Sequence, residues 1–164
     1  MTSGGRPNNV RSNLDGVVVA PLTDESRFGE VLGLVHAAFG ALTPPSGALD
    51  ETVVDVAARF LAGPILLAED RGELVGSVFC ATKDGSLYLT RMAVKPDRQK
   101  QGIGRALMAA AKGQARALGL TRLSLRVRAN LPGNRRYFER FGFRVTGQGQ
   151  DPGRPPYEAM ARQI

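Results

Sequence analysis

The chain has 164 residues, of which 43% are hydrophobic and 23% are charged, values typical of one soluble globular domain. A single cysteine, Cys80, excludes an internal disulfide and favours a reducing, cytoplasmic location. No segment approaches the roughly 18 continuous apolar residues of a membrane span, and the first residues lack the apolar run of a secretory signal. We therefore expect a polar, disordered tail at residues 1–15 and a single domain over residues 16–164.

The net charge of +7 is unevenly distributed along the chain. Residues 1–90 hold 6 Lys/Arg and 11 Asp/Glu, whereas residues 91–144 hold 14 Lys/Arg and only two acidic residues. A basic region of this kind attracts polyanions such as nucleic acid, a membrane surface or a phosphorylated cofactor, although many basic segments are simply solvated.

The first half of the chain predicts a strand, two helices and three further strands. A β-branched run at 17–23 predicts the first strand, and Asp24 offers a helix start before apolar residues at helical spacing. The segment ALTPPSG at 41–47 ends this helix, and Asp50 is expected to cap the second helix. Strands at 65–69, 74–82 and 87–94 are separated by short charged turns with Gly, which predicts an antiparallel meander.

The second half predicts a parallel crossover followed by a short helix and two strands. A helix at 106–118 and an alternating strand at 121–127 imply a β-α-β unit. A short helix begins at Pro132 or Asn134 and ends at Gly142, and final strands lie at 143–146 and 157–162. The predicted fold is α/β (α+β): a mixed, mostly antiparallel sheet of about six to seven strands with flanking helices.

The segment VKPDRQKQGIGRAL at 94–107 joins a strand to a helix through two glycines. The first N–H groups of a helix are unpaired and carry partial positive charge, so Gly102 and Gly104 would let a phosphate approach them closely. Arg98, Lys100 and Arg105 add charge. On these features alone the segment is either a pyrophosphate cradle or a plain basic turn.

The residues before the glycines distinguish this segment from other glycine loops. A P-loop requires Gly-Lys-Ser/Thr, and a dinucleotide fingerprint requires a third glycine where Leu107 stands. Instead, Val94-x-Pro96-x-x-Gln99-x-x-Gly102-x-Gly104 resembles the acetyl-CoA motif of the GNAT superfamily of acyl-CoA-dependent N-acyltransferases. The order of the predicted elements from about residue 17 to about residue 160 is also similar to that family.

The resemblance implies where a cofactor would lie. In the family, the fourth strand and the following parallel strand splay apart, pantetheine threads between them, and the pyrophosphate meets backbone N–H groups of the glycine loop. An Asn beyond the fifth strand often contacts the cofactor arm. Asn130 is near that position, and Asn134 is better explained as a helix cap, although it could do both. The cofactor-binding residues implied for acetyl-CoA are Met92, Ala93, Val94, Arg98, Gln99, Lys100, Gln101, Gly102, Ile103, Gly104, Arg105, Asn130 and Asn134.

The same resemblance leaves the catalytic groups open. The family often uses a Glu on the fourth strand as general base, but this chain has Tyr88, Thr90 and Arg91 there, so no base is assigned. A Tyr on the short helix often protonates the leaving thiolate. The corresponding position in this chain is Phe138, and Tyr137 lies beside it. Tyr137 is therefore either the proton donor or a packing aromatic.

Several other polar residues are expected to be structural. Glu69, Asp70 and Glu73 are predicted to be surface turn charges, His36 a helix-surface or packed histidine, and Cys80 a core thiol. One Cys and one His make a metal site improbable, so no metal is expected.

The leading functional hypothesis is an N-acetyltransferase that acts on a primary amine of a small molecule or peptide. The acceptor would lie near Asp50, Glu51, Asp55 and the loop GQGQDPGRPP, and the acidic first half hints at a cationic acceptor. The alternatives are an acyl-CoA sensor without turnover and a basic module for nucleic acid or an acidic partner. The last lacks helix-turn-helix, aromatic-stacking and zinc patterns. Neither nucleic acid nor a membrane is an expected partner, and a homodimer is one option because dimers are common in the family.

Overall fold

The computed structural model describes residues 16–40 and 46–164. The predicted tail at 1–15 and most of the helix-breaking segment at 41–47 lie outside the described residues. The strands are β1 (Val17–Pro21), β2 (Ile65–Asp70), β3 (Glu73–Lys83), β4 (Ser86–Val94), β5 (Arg122–Arg128), β6 (Arg144–Gly149) and β7 (Tyr157–Gln163), and the α-helices are α1 (Phe28–Phe39), α2 (Val53–Ala62), α3 (Ile103–Ala117) and α4 (Pro132–Glu139). No helix within these ranges is long and apolar enough to span a membrane.

The seven strands of the described chain form one mixed sheet in the order β1-β2-β3-β4-β5-β7-β6. Every neighbouring pair is antiparallel except β4 and β5, which run parallel because α3 carries the chain across between them. The predicted fold class, the β2-β3-β4 meander and the parallel crossover are confirmed. The long connection between β6 and β7 places β7, rather than β6, beside β5.

Helix starts follow local capping chemistry, and one predicted cap is wrong. Asp24 accepts hydrogen bonds from the backbone N–H and hydroxyl of Ser26 at 2.9 and 2.6 Å, as expected of a helix start. Asp50 does not cap α2, because it lies in a preceding 3-10 turn. Thr52 occupies the cap, where its N–H donates to the Asp55 carboxylate at 2.7 Å, a capping-box contact.

The starts of α3 and α4 also differ from the predictions. Helix α3 begins at Ile103, three residues earlier than the alanine-rich pattern indicated, because Gly102 adopts a left-handed φ of 91° and turns the chain directly into the helix. Helix α4 begins at Pro132, one of the two predicted starts. Asn134 is therefore inside the first turn of α4 rather than at its cap, and the capping explanation for it is wrong.

Two hydrophobic clusters cover the two faces of the sheet. One packs α3 against the central strands and includes Leu107, Leu123 and Met160. The other packs α1 and α2 against β2, β3 and β4 and includes Phe28 and Phe79. We call the sheet surfaces on which these helices pack the α3 face and the α1/α2 face.

Leu107→Ala tests the packing of α3 on the sheet. Leu107 is fully buried, so its truncation leaves a cavity and is expected to lower the free energy of unfolding by about 2–5 kcal/mol. Urea unfolding measures the change. Leu61→Ala, at an 85% exposed position on α2, is the matched control and should change stability by less than about 0.5 kcal/mol. Equal effects of the two substitutions would contradict this placement of the core.

Candidate active site

The parallel pairing of β4 and β5 is short, and this opens the centre of the sheet. The two strands pair only at Leu87 with Leu123 and at Tyr88 with Ser124. Beyond Tyr88, β4 remains paired to β3 as far as Val94, while β5 continues as a partner of β7. The β4 backbone groups that point away from β3, those of Met92 and Val94, therefore border a gap between the strands, whereas the Ala93 carbonyl lies on the β3 side near Gly76.

A bulge in β4 lies at the mouth of this gap. The β3–β4 register shifts between Ser77 and Phe79, and Arg91 adopts a left-handed φ of 52°. This conformation is uncommon for a residue with a side chain and is typical of bulges near functional sites. The bulge directs Arg91 to Glu51 on the α1/α2 face, where its Nε donates to Glu51 Oε1 at 2.9 Å.

The glycine loop after β4 exposes the start of α3. Lys100 and Gly102 both have left-handed φ values, 62° and 91°, which curl successive N–H groups into a concave surface suited to anions. The first backbone bond of α3 runs from the Ala106 N–H to the Gly102 carbonyl at 3.0 Å. The N–H groups of Ile103 to Arg105 lie in the turn where a helix has no acceptor of its own.

The side chains of the loop have different roles. Arg98 donates to Asp70 at 2.6 Å and to Gln101 at 2.9 Å, so its charge is neutralised and it fixes the loop to the β2–β3 hairpin. Lys95 pairs with Glu73 at 2.6 Å in the same hairpin. The side chains of Lys100 and Arg105 are exposed and remain available to a ligand.

Two other loop and turn observations complete this side of the site. The Gln99 side-chain amide donates to the Val94 carbonyl at 3.4 Å, which closes the loop onto the end of β4. Asn130 is exposed in a turn closed by a bond from the Leu131 N–H to the Arg128 carbonyl at 3.1 Å. Asn130 therefore follows the end of β5, as expected, whereas the exposed Asn134 lies within α4.

Tyr137 reaches the glycine loop from α4. Its ring packs edge-on against Phe138 and Phe141, with centroids 5.0 and 5.2 Å apart. Its hydroxyl lies over Gly104, since a Cβ added there would collide with it. Burial raises the pKa of the Tyr137 phenol. Tyr137 is thus both a packing aromatic and a protonated hydroxyl at the start of α3, and Gly104 is the residue that leaves room for it.

Glu51 is the centre of a charge cluster on the α1/α2 face. Its side chain is only 9% exposed, and Oε1 accepts from Arg91 Nη2 at 2.8 Å and from Arg59 Nη2 at 3.1 Å. Arg59 also donates to Thr90 Oγ1 on β4 at 3.0 Å. The other oxygen, Oε2, is buried without a hydrogen-bond partner in the described structure. The Glu51 carboxylate is therefore engaged by arginines and is not a free negative charge for a cationic acceptor.

Residues from β4, β5 and β7 extend this cluster across the gap. The Arg126 guanidinium lies over the Tyr157 ring, 4.0 Å from its centroid. Burial raises the pKa of the Tyr88 phenol, and the positive charges of Arg126, Arg59 and Arg91 act against that rise. The positive charges of these three guanidiniums therefore all act on one tyrosine at the point where β4 and β5 separate.

His36 and Cys80 occupy structural positions. His36 Nε2 lies 3.1 Å from the Glu51 carbonyl, which can only accept, so the histidine is a packed donor. Cys80 is buried, and burial raises the pKa of its thiol to about 12. Both expectations are confirmed. Among the described residues, no group of three or more His, Cys, Asp or Glu could hold a metal ion.

Sequence reasoning found the loop but missed the cluster. Gly102, Gly104 and Tyr137 are brought together, although they come from the glycine loop and a separate helix. Glu51 and Arg91 are 40 residues apart, and Arg126 lies on a third element. Two features of the sequence could have indicated the cluster: Arg91 lies in an otherwise apolar strand, and Arg126 lies in a strand of alternating polarity. Neither feature predicts which acidic residue would pair with the arginine.

Comparison with known proteins identifies the family. The model of the acetyltransferase (GNAT) family matches residues 29–143. No curated protein matches the chain significantly. The ribosomal-protein-S18-alanine N-acetyltransferase from Escherichia coli shares 21% identity and a TM-score of 0.74, over 90% of this chain and 94% of that one. A GNAT acetyltransferase from Elizabethkingia anophelis with acetyl-CoA bound shares 18% sequence identity and a TM-score of 0.71, over 92% of this chain and 99% of that one. A spermidine N-acetyltransferase chimera from Vibrio cholerae shares 17% sequence identity and a TM-score of 0.71, over 91% of this chain and 96% of that one.

The family model covers well over half of the chain, and the open β4 edge and glycine loop lie within the matched region. The protein belongs to the GNAT family of acetyltransferases. The three structures are similar to it in fold.

The buried thiol of Cys80 generates a prediction about its reactivity. Only a thiolate reacts rapidly, and a pKa of about 12 leaves almost no thiolate at pH 8. We expect iodoacetamide to modify the native protein at a small fraction of the rate for the urea-unfolded chain, as measured by mass spectrometry. Rapid labelling of the folded protein would contradict the assignment of Cys80 as a core residue.

Proposed function

We propose that the protein transfers an acetyl group from acetyl-CoA to a primary amine of a small molecule or peptide by direct attack in a ternary complex. The observation that carries this proposal is the unpaired β4 edge, which leads directly into a glycine loop and an exposed helix start. A structure of similar fold contains acetyl-CoA, and others are named for acetylation of alanine and spermidine amines.

The gap and the loop suit different parts of the cofactor. The β4 backbone at Met92 and Val94, on either side of Ala93, offers hydrogen bonds to the pantetheine amides, and a β4 N–H near the bulge would stabilise the thioester oxygen as it gains charge. The N–H groups from Gln99 to Arg105 would hold the pyrophosphate. Lys100 and Arg105 supply exposed positive charge beside them, while Arg98 acts through its bond to Asp70.

Tyr137 is the proposed proton donor to the leaving thiolate. A general acid must hold its proton at the working pH, and burial, which raises the pKa of the Tyr137 phenol, keeps it protonated at neutral pH. Its hydroxyl lies at the start of α3, beside the proposed path of the pantetheine arm. This role is added to the packing of its ring.

No general base is assigned. The β4 positions Tyr88, Thr90 and Arg91 carry no carboxylate, and Glu51 is tied to two guanidiniums through Oε1. Loss of the amine proton to water, or uptake of the neutral amine, is sufficient for direct attack. This absence favours one alternative, an acyl-CoA sensor without turnover. Calorimetric binding of acetyl-CoA without thiol release on a broad amine panel would select the sensor.

The proposal also covers the cellular location and the oligomeric state of the protein. A buried free thiol fits a reducing compartment, so we propose a cytoplasmic location. Assembly as a homodimer stays a prediction from the family resemblance.

Gly102→Asp and Gly104→Asp test the pyrophosphate cradle. Either carboxylate crowds and repels the phosphates, so acetyl-CoA affinity measured by calorimetry should fall at least about a hundredfold. Gly113→Asp is the matched control, because it adds the same charge to an exposed position of α3 with open space around it. Circular dichroism verifies folding. Normal binding by the two loop variants would refute the cradle.

Tyr137→Phe tests the proton donor. Removing the hydroxyl should lower kcat about tenfold or more while acetyl-CoA affinity stays unchanged, since the ring and its packing remain. Gly104→Ala should lower kcat in the same direction, because its methyl group displaces the Tyr137 hydroxyl. If Tyr137→Phe leaves kcat unchanged, Tyr137 has only a packing role.

A further inference from the structure

We propose that the acceptor site selects an amine that also carries a carboxylate group, such as an amino acid. This inference rests on the proposed acetyltransferase function and names the class of acceptor that the same site would take. It replaces the cationic acceptor that the acidic first half of the sequence suggested.

The position of the acceptor follows from the geometry of the gap. Helix α3 and the glycine loop lie on one side of β4, so an acceptor reaches the β4 edge from the α1/α2 face. Side chains of Thr90 and Arg91 border that approach, and α2 contributes Arg59, which bonds to Thr90. Arg126 faces them from β5, because its neighbours Leu125 and Val127 are buried on the α3 face.

Positive charge dominates this approach. The side chains of Arg59, Arg91 and Arg126 are 35%, 25% and 36% exposed, so all three are partly accessible. The carboxylate among them, Glu51, is nine-tenths buried and engages two guanidiniums through a single oxygen. Arg126 has an acidic partner in Asp151, but at 3.4 Å and with 61% of the Asp151 side chain exposed. Two of the three guanidiniums thus share one buried carboxylate, and the third, Arg126, pairs with an exposed one.

The acidic residues that suggested a cationic acceptor are already engaged. Asp55 caps α2 through Thr52, Glu51 pairs with Arg59 and Arg91, and the exposed Asp50 lies 3.9 Å from Arg154. A polycationic amine would meet three arginines with little free negative charge, and like charges at this range oppose binding.

A carboxylate matches the donors that are present. Guanidinium groups bind carboxylates through paired, charge-assisted hydrogen bonds. The Tyr157 ring beneath Arg126 holds that guanidinium in a defined plane, and the small Ala159 opposite Arg126 in the β5–β7 register leaves space beside it. An acceptor whose carboxylate bonds to Arg126 would have its amine directed towards the β4 bulge.

Matched acceptor pairs test this inference. We would measure thiol release with alanine and alaninamide, with glycine and glycinamide, and with 4-aminobutyrate and putrescine, at saturating acetyl-CoA. The carboxylate member should have at least a tenfold higher kcat/KM. The ammonium groups of the amides are more acidic, so a larger fraction of each amide is the neutral, reactive amine. Intrinsic reactivity therefore favours the amides, and a preference for the carboxylate members must come from binding in the acceptor site. Arg126→Gln should lower kcat/KM about tenfold for the carboxylate members and leave the amides unchanged.

Two further variants separate recognition from structure. Arg126→Lys keeps the charge and should retain part of the preference, whereas Arg144→Gln, at an exposed position on β6, should behave as the wild type. A wild type that prefers the amides or putrescine, or that acetylates no carboxylate-bearing amine, would overturn the inference, as would an equal loss on both members of each pair in Arg126→Gln. Failure of the proposed function differs: either acetyl-CoA does not bind in calorimetry, or it binds and no amine of the panel, with or without a carboxylate, gives thiol release.

Discussion

The site depends on the point at which β4 and β5 stop pairing. A sheet edge in the middle of a molecule leaves backbone N–H and C=O groups without partners, and such groups are costly when they are buried unsatisfied. Here the edge is created by the short parallel register at Leu87 and Tyr88, and the bulge at Arg91 turns β4 away from regular pairing. A ligand with amides of its own is the partner that such an edge suits.

The two sides of β4 are specialised by different physical means. On the α3 side, the backbone provides the site: left-handed residues in the loop and a glycine beneath Tyr137 arrange N–H groups that bind through partial charges. On the α1/α2 side, full charges dominate, and Glu51 holds Arg59 and Arg91 in place. In the proposed enzyme, the α3 side would bind the donor and the arginine side would select the acceptor.

Most of the architecture was predictable because it is local. Period-two and helical patterns, turns with glycine and the strand-helix-strand order determine the meander and the crossover, and Gly102 has a conformation that only its residue type accepts easily. The errors were also local in origin. Asp50 and Asn134 have side chains suited to capping, but Thr52 with Asp55 and Pro132 with its fixed φ occupy the actual helix starts. The pairing of Arg98 with Asp70 lies outside local reach, because the two residues are 28 positions apart in the chain.

The sequence by itself determined the order of elements, the glycine loop and the family resemblance, since each is encoded in residues close together in the chain. Only the tertiary structure decided which charges meet. Glu51 is joined to Arg91 across 40 residues, and Arg126 comes from a strand beyond the crossover helix. The net charge of a segment cannot reveal such pairing, because an ion pair depends on distance in space and on burial. For that reason Glu51 and Arg59 of the acidic half lie, in the folded protein, beside Arg91 of the basic segment at the approach to β4.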